Sequence, residues 1–260
     1  MNEHPDAGER QGRLMSPHTV RVAAGELRVP LSRAQLLALV DDADAVAHLE
    51  AYFTQRTSTG APAWTGARFE ALAGGGDRPE TADRLHGDDI VAVTLLSVSV
   101  PRDVVLPLLE GDLGKQIALL LARVPRQAAI TDSDAAAHLG EGQALWQAWD
   151  LLNAQRGIKW VTASKLLARK RPALVPVYDR VVRCAFGHPA HPWEWLVVHF
   201  ADHDADLAGR LAAVREQAGV DAGVSVLRVL DVIVWMRHHP EHLATGCPGV
   251  PTSVRGLERS

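Results

Sequence analysis

Residues 157–183 read GIKWVTASKLLARKRPALVPVYDRVVR, and this stretch decides which fold the sequence predicts. Gly157 suits a tight turn between two helices, and the second helix begins with backbone N–H groups that lack a carbonyl partner. Pro172 ends that helix, and Pro176 favours an extended approach to Asp179. An aspartate at this point is a good N-cap. The pattern therefore predicts a helix, a turn, a second helix and a capped third helix.

The same stretch concentrates positive charge. Residues 156–183 contain eight Lys and Arg residues against one acid, so this segment carries +7, whereas the whole chain carries −4. Free N–H groups at a helix N-terminus attract anions, and neighbouring cations strengthen that attraction. The pattern indicates an anionic partner, and nucleic-acid phosphates fit it. It also fits a solvated helix face that pairs with the acidic remainder of the chain.

These residues resemble the helix-hairpin-helix motif of the HhH-GPD DNA glycosylase superfamily. In that motif a Gly-hydrophobic-Gly turn and a Thr-Ala pair are followed by a proline-containing loop and an aspartate that opens a helix. The matching residues are Gly157-Ile158-Lys159, Thr162-Ala163 and Pro176-Val177-Tyr178-Asp179. The resemblance covers roughly residues 69–237 and is specific around 157–183. The whole chain also looks like a family of uncharacterised bacterial proteins.

The resemblance implies that the hairpin grips a DNA phosphate and that Asp179 assists cleavage of the bond between base and sugar. A carboxylate can stabilise the developing oxocarbenium ion and orient water. Tyr178, beside Asp179, is the candidate for stacking on a flipped-out base. The candidate nucleic-acid-binding residues are Gly157, Ile158, Lys159, Thr162, Lys165, Arg169 and Arg183.

Three positions depart from the superfamily pattern. Bifunctional members carry a nucleophilic lysine where this chain has Val161, so Schiff-base chemistry at that position is excluded. Lys159 replaces the second hairpin glycine, so it must either adopt a left-handed conformation, which costs about 1–2 kcal/mol, or reshape the turn. Ser99 stands where several members carry a glutamine that wedges into DNA.

Several functions therefore stay open, and whether the protein is an enzyme is one of the open questions. The first is a DNA-binding, monofunctional N-glycosidic hydrolase that uses Asp179 and needs no cofactor or metal. Lys159 and Ser99 favour the second, a non-catalytic helix-hairpin-helix module. The third is a protein-interaction protein that uses its basic segment.

The rest of the chain predicts a mainly α protein: a helix-hairpin-helix, glycosylase-like helical domain with a small N-terminal appendage. We expect residues 1–18 to be disordered, 19–65 to form the appendage from a small hairpin and helices, 66–240 to form the helical domain, and 241–260 to be a flexible tail. The apolar run from Ile90 to Val100 is predicted as helix although its β-branched residues favour a strand.

Composition excludes several classes of protein. The only two cysteines, Cys184 and Cys247, lack the CxxC pairing of a four-cysteine zinc or iron–sulfur site and cannot build a disulfide framework. No apolar run reaches the roughly 20 residues that a bilayer crossing needs, and no signal peptide is visible. The sequence therefore predicts a cytoplasmic protein without a membrane partner, and it leaves the oligomeric state open.

Overall fold

The computed structural model describes residues 29–245, with side chains described as far as residue 240. Within this range the chain forms α-helices and no β-strand, so the prediction of a mainly α protein is confirmed. The helices are α1 (Arg33–Val40), α2 (Ala45–Thr54), α3 (Gly87–Thr94), α4 (Arg102–Leu109), α5 (Asp112–Leu121), α6 (Ala135–Leu139), α7 (Ala144–Asn153), α8 (Trp160–Lys170), α9 (Arg180–Ala185), α10 (Pro192–Phe200), α11 (Leu207–Gln217) and α12 (Val226–Thr245). Residues 1–18, most of the predicted hairpin and the end of the predicted tail lie outside the described residues.

Two helices organise the packing. Helix α8 is buried along nearly its whole length and packs against α3 and α7. Helix α12 packs against α2, α9 and α11. Residues of α1 and α2, such as Leu36 and Leu49, belong to the same continuous core as Val229 of α12. The N-terminal helices therefore share one hydrophobic core with the rest of the described chain.

The apolar run that begins at Ile90 is helical only at its start. The Asp89 carboxylate accepts a hydrogen bond from the His86 backbone N–H at 2.9 Å and so caps α3. The helix ends at Thr94, and Ser97 in the following loop has a left-handed φ of 59°. The prediction of helix over strand was correct for the first part of the run, and the second part forms a loop.

The cationic end of α8 points into the protein. Arg169 and Lys170 are at most 1% exposed, and both approach the carboxylate of Asp89, which is itself 1% exposed. Arg169 also donates to the carbonyl of Phe69 at 2.6 Å, and Lys170 donates to that of Gly76 at 3.0 Å. The prediction that Arg169 contacts DNA was therefore wrong, because its guanidinium is enclosed and bonded to the protein's own backbone.

Arg171, which follows α8, also points into the protein and binds backbone carbonyls. It is fully buried and donates to the carbonyls of Leu121 at 2.7 Å, Ala82 at 2.8 Å and Val124 at 2.9 Å. Buried cations are costly unless their donors are satisfied. Here the backbone carbonyls of neighbouring segments satisfy them, so the end of α8 fixes those segments in place.

We expect Asp89→Ala to destabilise the protein by about 3–5 kcal/mol, the usual effect of removing one partner from a buried ion pair. The loss leaves Lys170 and Arg169 without their carboxylate. Urea unfolding followed by circular dichroism measures it. The neighbouring Asp88 is exposed, and Asp88→Ala serves as the control with an expected loss of less than about 1 kcal/mol. Equal losses in the two variants would contradict this account.

Candidate functional site

A sharp hairpin joins α7 to α8. Gly157 has a φ of +84°, the left-handed conformation that favours glycine, and Ile158 anchors the turn by burying its side chain. Lys159 has extended backbone, with φ −115° and ψ 167°, and it is the N-cap of α8. Of the two outcomes expected for Lys159, the reshaped turn is the one that occurs, so no left-handed strain arises at this lysine.

The beginning of α8 carries no side-chain cap. The first-turn N–H groups therefore lack the oxygen that Ser, Thr or Asp would provide, and the positive end of the helix dipole is unmasked. Gly157 and Lys159 are exposed, whereas Thr162 is buried. An anion can reach this turn from outside.

A cavity of about 830 Å³ opens beside this turn. Its walls come from five parts of the chain: the end of α2 with the segment that follows it, the loop after α3, the first two turns of α8, the start of α9 and the middle of α12. Of the residues predicted from the sequence, the cavity brings together Lys159, Thr162, Lys165 and Asp179.

Asp179 is the N-cap of α9, as the sequence predicts. Its Oδ1 accepts hydrogen bonds from the backbone N–H groups of Val181 at 2.9 Å and Val182 at 3.1 Å. Its Oδ2 lies 3.7 Å from Nζ of Lys165. One oxygen therefore holds the helix while the other belongs to the charged part of the cavity.

Lys165 lies inside the protein and not on its surface. It is 3% exposed, and its Nζ donates to the Leu96 carbonyl at 2.9 Å. Burial lowers the pKa of Lys165, and the nearby carboxylates of Asp179 and Asp231 oppose that shift. Lys165, predicted from the sequence as a nucleic-acid-binding residue, therefore presents its ammonium group to the cavity and not to the outer surface of α8.

Helix α12 contributes a buried arginine–aspartate pair that sequence reasoning missed. Arg228 and Asp231 are paired one turn apart, and Arg228 also donates to the Tyr52 hydroxyl at 2.7 Å and to the Gly66 carbonyl at 2.9 Å. Burial raises the pKa of Asp231 to about 7 although Arg228 opposes the shift. Two charged residues within the apolar run VLRVLDVIVW are the signal that could have identified them.

Aromatic rings form one wall of the cavity. The rings of Tyr52 and Trp64 lie nearly parallel, with centroids 6.1 Å apart, and Trp235 meets Trp64 edge-on at 5.5 Å. The Trp64 Nε1–H has no hydrogen-bond partner among the described residues. Tyr178, predicted to stack on a base, is 3% exposed, packs against Trp160 and Phe186, and does not line the cavity. That prediction was wrong, because the ring is part of the core.

Four cations of the basic segment remain near the surface: Arg156, Lys159, Arg180 and Arg183. The first three are exposed, and the guanidinium of Arg183 lies over the Trp160 ring, 5.4 Å from its centroid. None of the four pairs with a carboxylate among the described residues. Two of these four cations, Lys159 and Arg180, also line the cavity.

Among the side chains of residues 29–240, no cluster of three or more His, Cys, Asp or Glu residues could hold a metal ion. In the described range, no helix combines the length and apolar character that a membrane span requires.

We expect Gly157→Ala to cost more stability than an ordinary left-handed glycine does. The left-handed conformation alone costs an alanine about 1–2 kcal/mol, and a Cβ at residue 157 would also lie 2.7 Å from Cγ of Pro101. Gly142 has a φ of +77° with no atom within 4 Å of its Cβ position, so Gly142→Ala is the matched control. Urea unfolding of both variants should give the larger loss of unfolding free energy for Gly157→Ala. Equal losses would show that a Cβ at residue 157 does not clash with Pro101.

The matches with known proteins concern the family alone. A family described as being of unknown function, DUF6308, matches residues 45–238, which include every cavity-lining residue except His239. No curated protein and no solved structure matches the chain. The expected likeness to an uncharacterised family is confirmed, and the chain belongs to the DUF6308 family.

Proposed function

We propose that this protein binds DNA through the hairpin at Gly157 and hydrolyses the N-glycosidic bond of a nucleotide whose base enters the cavity. One observation carries the proposal: the hairpin end of α8 and the carboxylate of Asp179 meet at the same cavity. A phosphate held at the turn would bring the neighbouring nucleotide to the cavity that Asp179 lines.

The anion-binding part of the proposal rests on charge and on backbone geometry. Uncapped N–H groups at the start of α8, together with exposed Lys159 and Arg180, form a site for a phosphate. With Lys165 and Arg169 inside the protein, four surface cations remain to contact the DNA backbone. The remaining nucleic-acid-binding candidates are Gly157, Ile158, Lys159, Thr162 and Arg183, with Ile158 acting through its backbone.

The cavity suits a base taken out of the helical stack. Its volume lies within the range of about 300–1,000 Å³ that is usual for small-ligand sites. Tyr52, Trp64 and Trp235 offer aromatic surfaces, and enzymes that flip bases hold them by stacking and by hydrogen bonds.

The chemistry assigned to Asp179 is electrostatic. Its carboxylate stabilises positive charge that develops at C1′ as the base leaves, and it orients the water that attacks that carbon. Val161 replaces the lysine that would form a Schiff base, so water is the nucleophile and the reaction is monofunctional. Hydrolysis of this kind needs no cofactor.

A non-catalytic DNA-binding module is the second candidate. Ser99 favours it, because a short exposed hydroxyl side chain in the loop after α3 cannot fill the gap that a flipped base leaves in the duplex. Such a module would keep the hairpin contacts and release no base. The third candidate, a protein that binds an acidic partner through its basic segment, would use the same four surface cations.

We expect the double substitution Lys159→Ala with Arg180→Ala to weaken duplex binding and to flatten its salt dependence. Each lost phosphate contact should reduce the slope of log K against log salt by about 0.9. Fluorescence anisotropy with a labelled duplex over a range of salt concentrations measures the slope. Lys115→Ala, an exposed lysine on α5 outside the cavity, is the control and should leave the slope unchanged. An unchanged slope in the double variant would remove the hairpin from the DNA interface.

We expect Asp179→Asn to lower base release by about 100- to 1,000-fold, the effect of removing one preorganised electrostatic group. Asparagine still caps α9, so duplex affinity should be close to that of the wild type, and urea unfolding measures any stability lost because Lys165 loses its carboxylate partner. The assay incubates duplexes that carry single uracil, hypoxanthine or 7-methylguanine bases and cleaves the abasic product with alkali. Asp206→Asn changes another N-cap, on α11, and is the control. If Asp179→Asn released base at the wild-type rate, Asp179 would have no role in catalysis. If the wild type released no base, the non-catalytic DNA-binding module would be favoured.

A further inference from the structure

The cavity is lined by a second carboxyl group besides that of Asp179. Asp231 lies in the middle of α12, is 4% exposed, and accepts a hydrogen bond from Arg228 through Oδ2. Both carboxyl groups line the same cavity, but they come from different elements and have different surroundings. Asp179 accepts two backbone N–H groups at a helix end, whereas Asp231 sits among the buried apolar side chains of α12.

The charges around Asp231 do not balance if every group is ionised. Arg228 and Lys165 supply two positive charges, and three carboxyl groups interact with one or both of them: Asp179, Asp231 and Glu70. Glu70 accepts a hydrogen bond from the Ser225 hydroxyl at 3.0 Å. It interacts electrostatically with Arg228 but does not line the cavity. A low-dielectric interior disfavours the extra negative charge, so the set tends to retain one proton.

Asp231 and Glu70 are the groups that can carry this proton. Burial raises the pKa of Asp231 to about 7 and that of Glu70 to about 7, and Arg228 opposes both shifts. Burial also raises the pKa of Tyr52, so the Tyr52 hydroxyl stays neutral. Of the two acids, only Asp231 lines the cavity, so only its proton can reach a bound molecule. The remaining titratable or charged groups that line the cavity are Lys159, Arg180 and His239.

We propose that Asp231 is a second catalytic residue, the general acid that protonates the departing base. This inference rests on the proposed function of Asp179. The two carboxyl groups have different roles because their environments differ. Enzymes use such a difference to keep one carboxyl group protonated, as an acid, and the other ionised.

The step balances as follows. The proton on Asp231 passes to a ring nitrogen of the base, and the C1′–N bond breaks with its electron pair going to the base. Asp179 stabilises the cationic sugar while water adds to C1′ and gives up one proton to Asp179. Solvent returns a proton to Asp231 and removes one from Asp179. The net change is water plus nucleotide giving free base and an abasic sugar.

The nature of the leaving base tests this role. Hypoxanthine leaves as an anion unless it is protonated, whereas 7-methylguanine already carries a positive charge and needs no proton. We expect Asp231→Asn to slow hypoxanthine release about 100-fold, the scale of general acid catalysis, and to change 7-methylguanine release little. Asp179→Asn should slow both. Asp42→Asn removes the partner of another α12 arginine, Arg237, outside the cavity, and should slow neither.

A measurement on the protein without substrate separates the two proposals. Carboxyl carbon NMR of protein labelled at aspartate Cγ should show one signal that titrates near pH 7 and is missing from Asp231→Asn. An Asp231 signal that titrates near pH 4, or equal slowing of both bases in Asp231→Asn, overturns the general acid while leaving Asp179 in place. A wild-type protein that releases neither base overturns the proposed function and this inference with it.

Discussion

The cationic end of α8 is held inside the protein by backbone carbonyls and by the carboxylate of Asp89, and the remaining architecture depends on this arrangement. Arg169, Lys170 and Arg171 reach segments that are 47 to 100 residues away along the chain. A charged group in a low-dielectric interior must have its donors satisfied. The loops that supply the carbonyls are therefore fixed relative to α8, and α8 in turn fixes the hairpin and Lys165 relative to the cavity.

The hairpin, the N-cap and the helical class could be predicted from the sequence, because each depends on local chemistry. A glycine at the turn, a proline after the helix and an aspartate before the next helix act within a few residues of themselves. The burial of Lys165 and Arg169 could not be predicted in that way. It depends on carbonyls from the segments around Phe69 and Leu96, and no local pattern places those segments beside α8.

Tyr178 and the aromatic wall illustrate the same limit. Tyr178 neighbours Asp179 in sequence, yet its ring packs into the core between Trp160 and Phe186. The rings that do line the cavity include Tyr52 and Trp64, which precede Asp179 by more than a hundred residues. Residues that are neighbours in the sequence are therefore not always neighbours in the site. By contrast, Arg228 and Asp231 are two charged residues within the otherwise apolar α12, and that pattern can be seen in the sequence.

The hydrogen bond between Arg228 and Tyr52 joins residues 176 positions apart, and both residues line the cavity. During synthesis the ribosome completes α2 and the hairpin long before α12 emerges. The helical core around α8 can begin to pack in that interval, but the cavity lacks the wall that α12 contributes until α12 packs against the other helices. Contacts that close over such long stretches of chain form late in folding. A nascent chain paused before residue 226 would lack the α12 side chains that line the cavity, among them Arg228, Asp231 and Trp235.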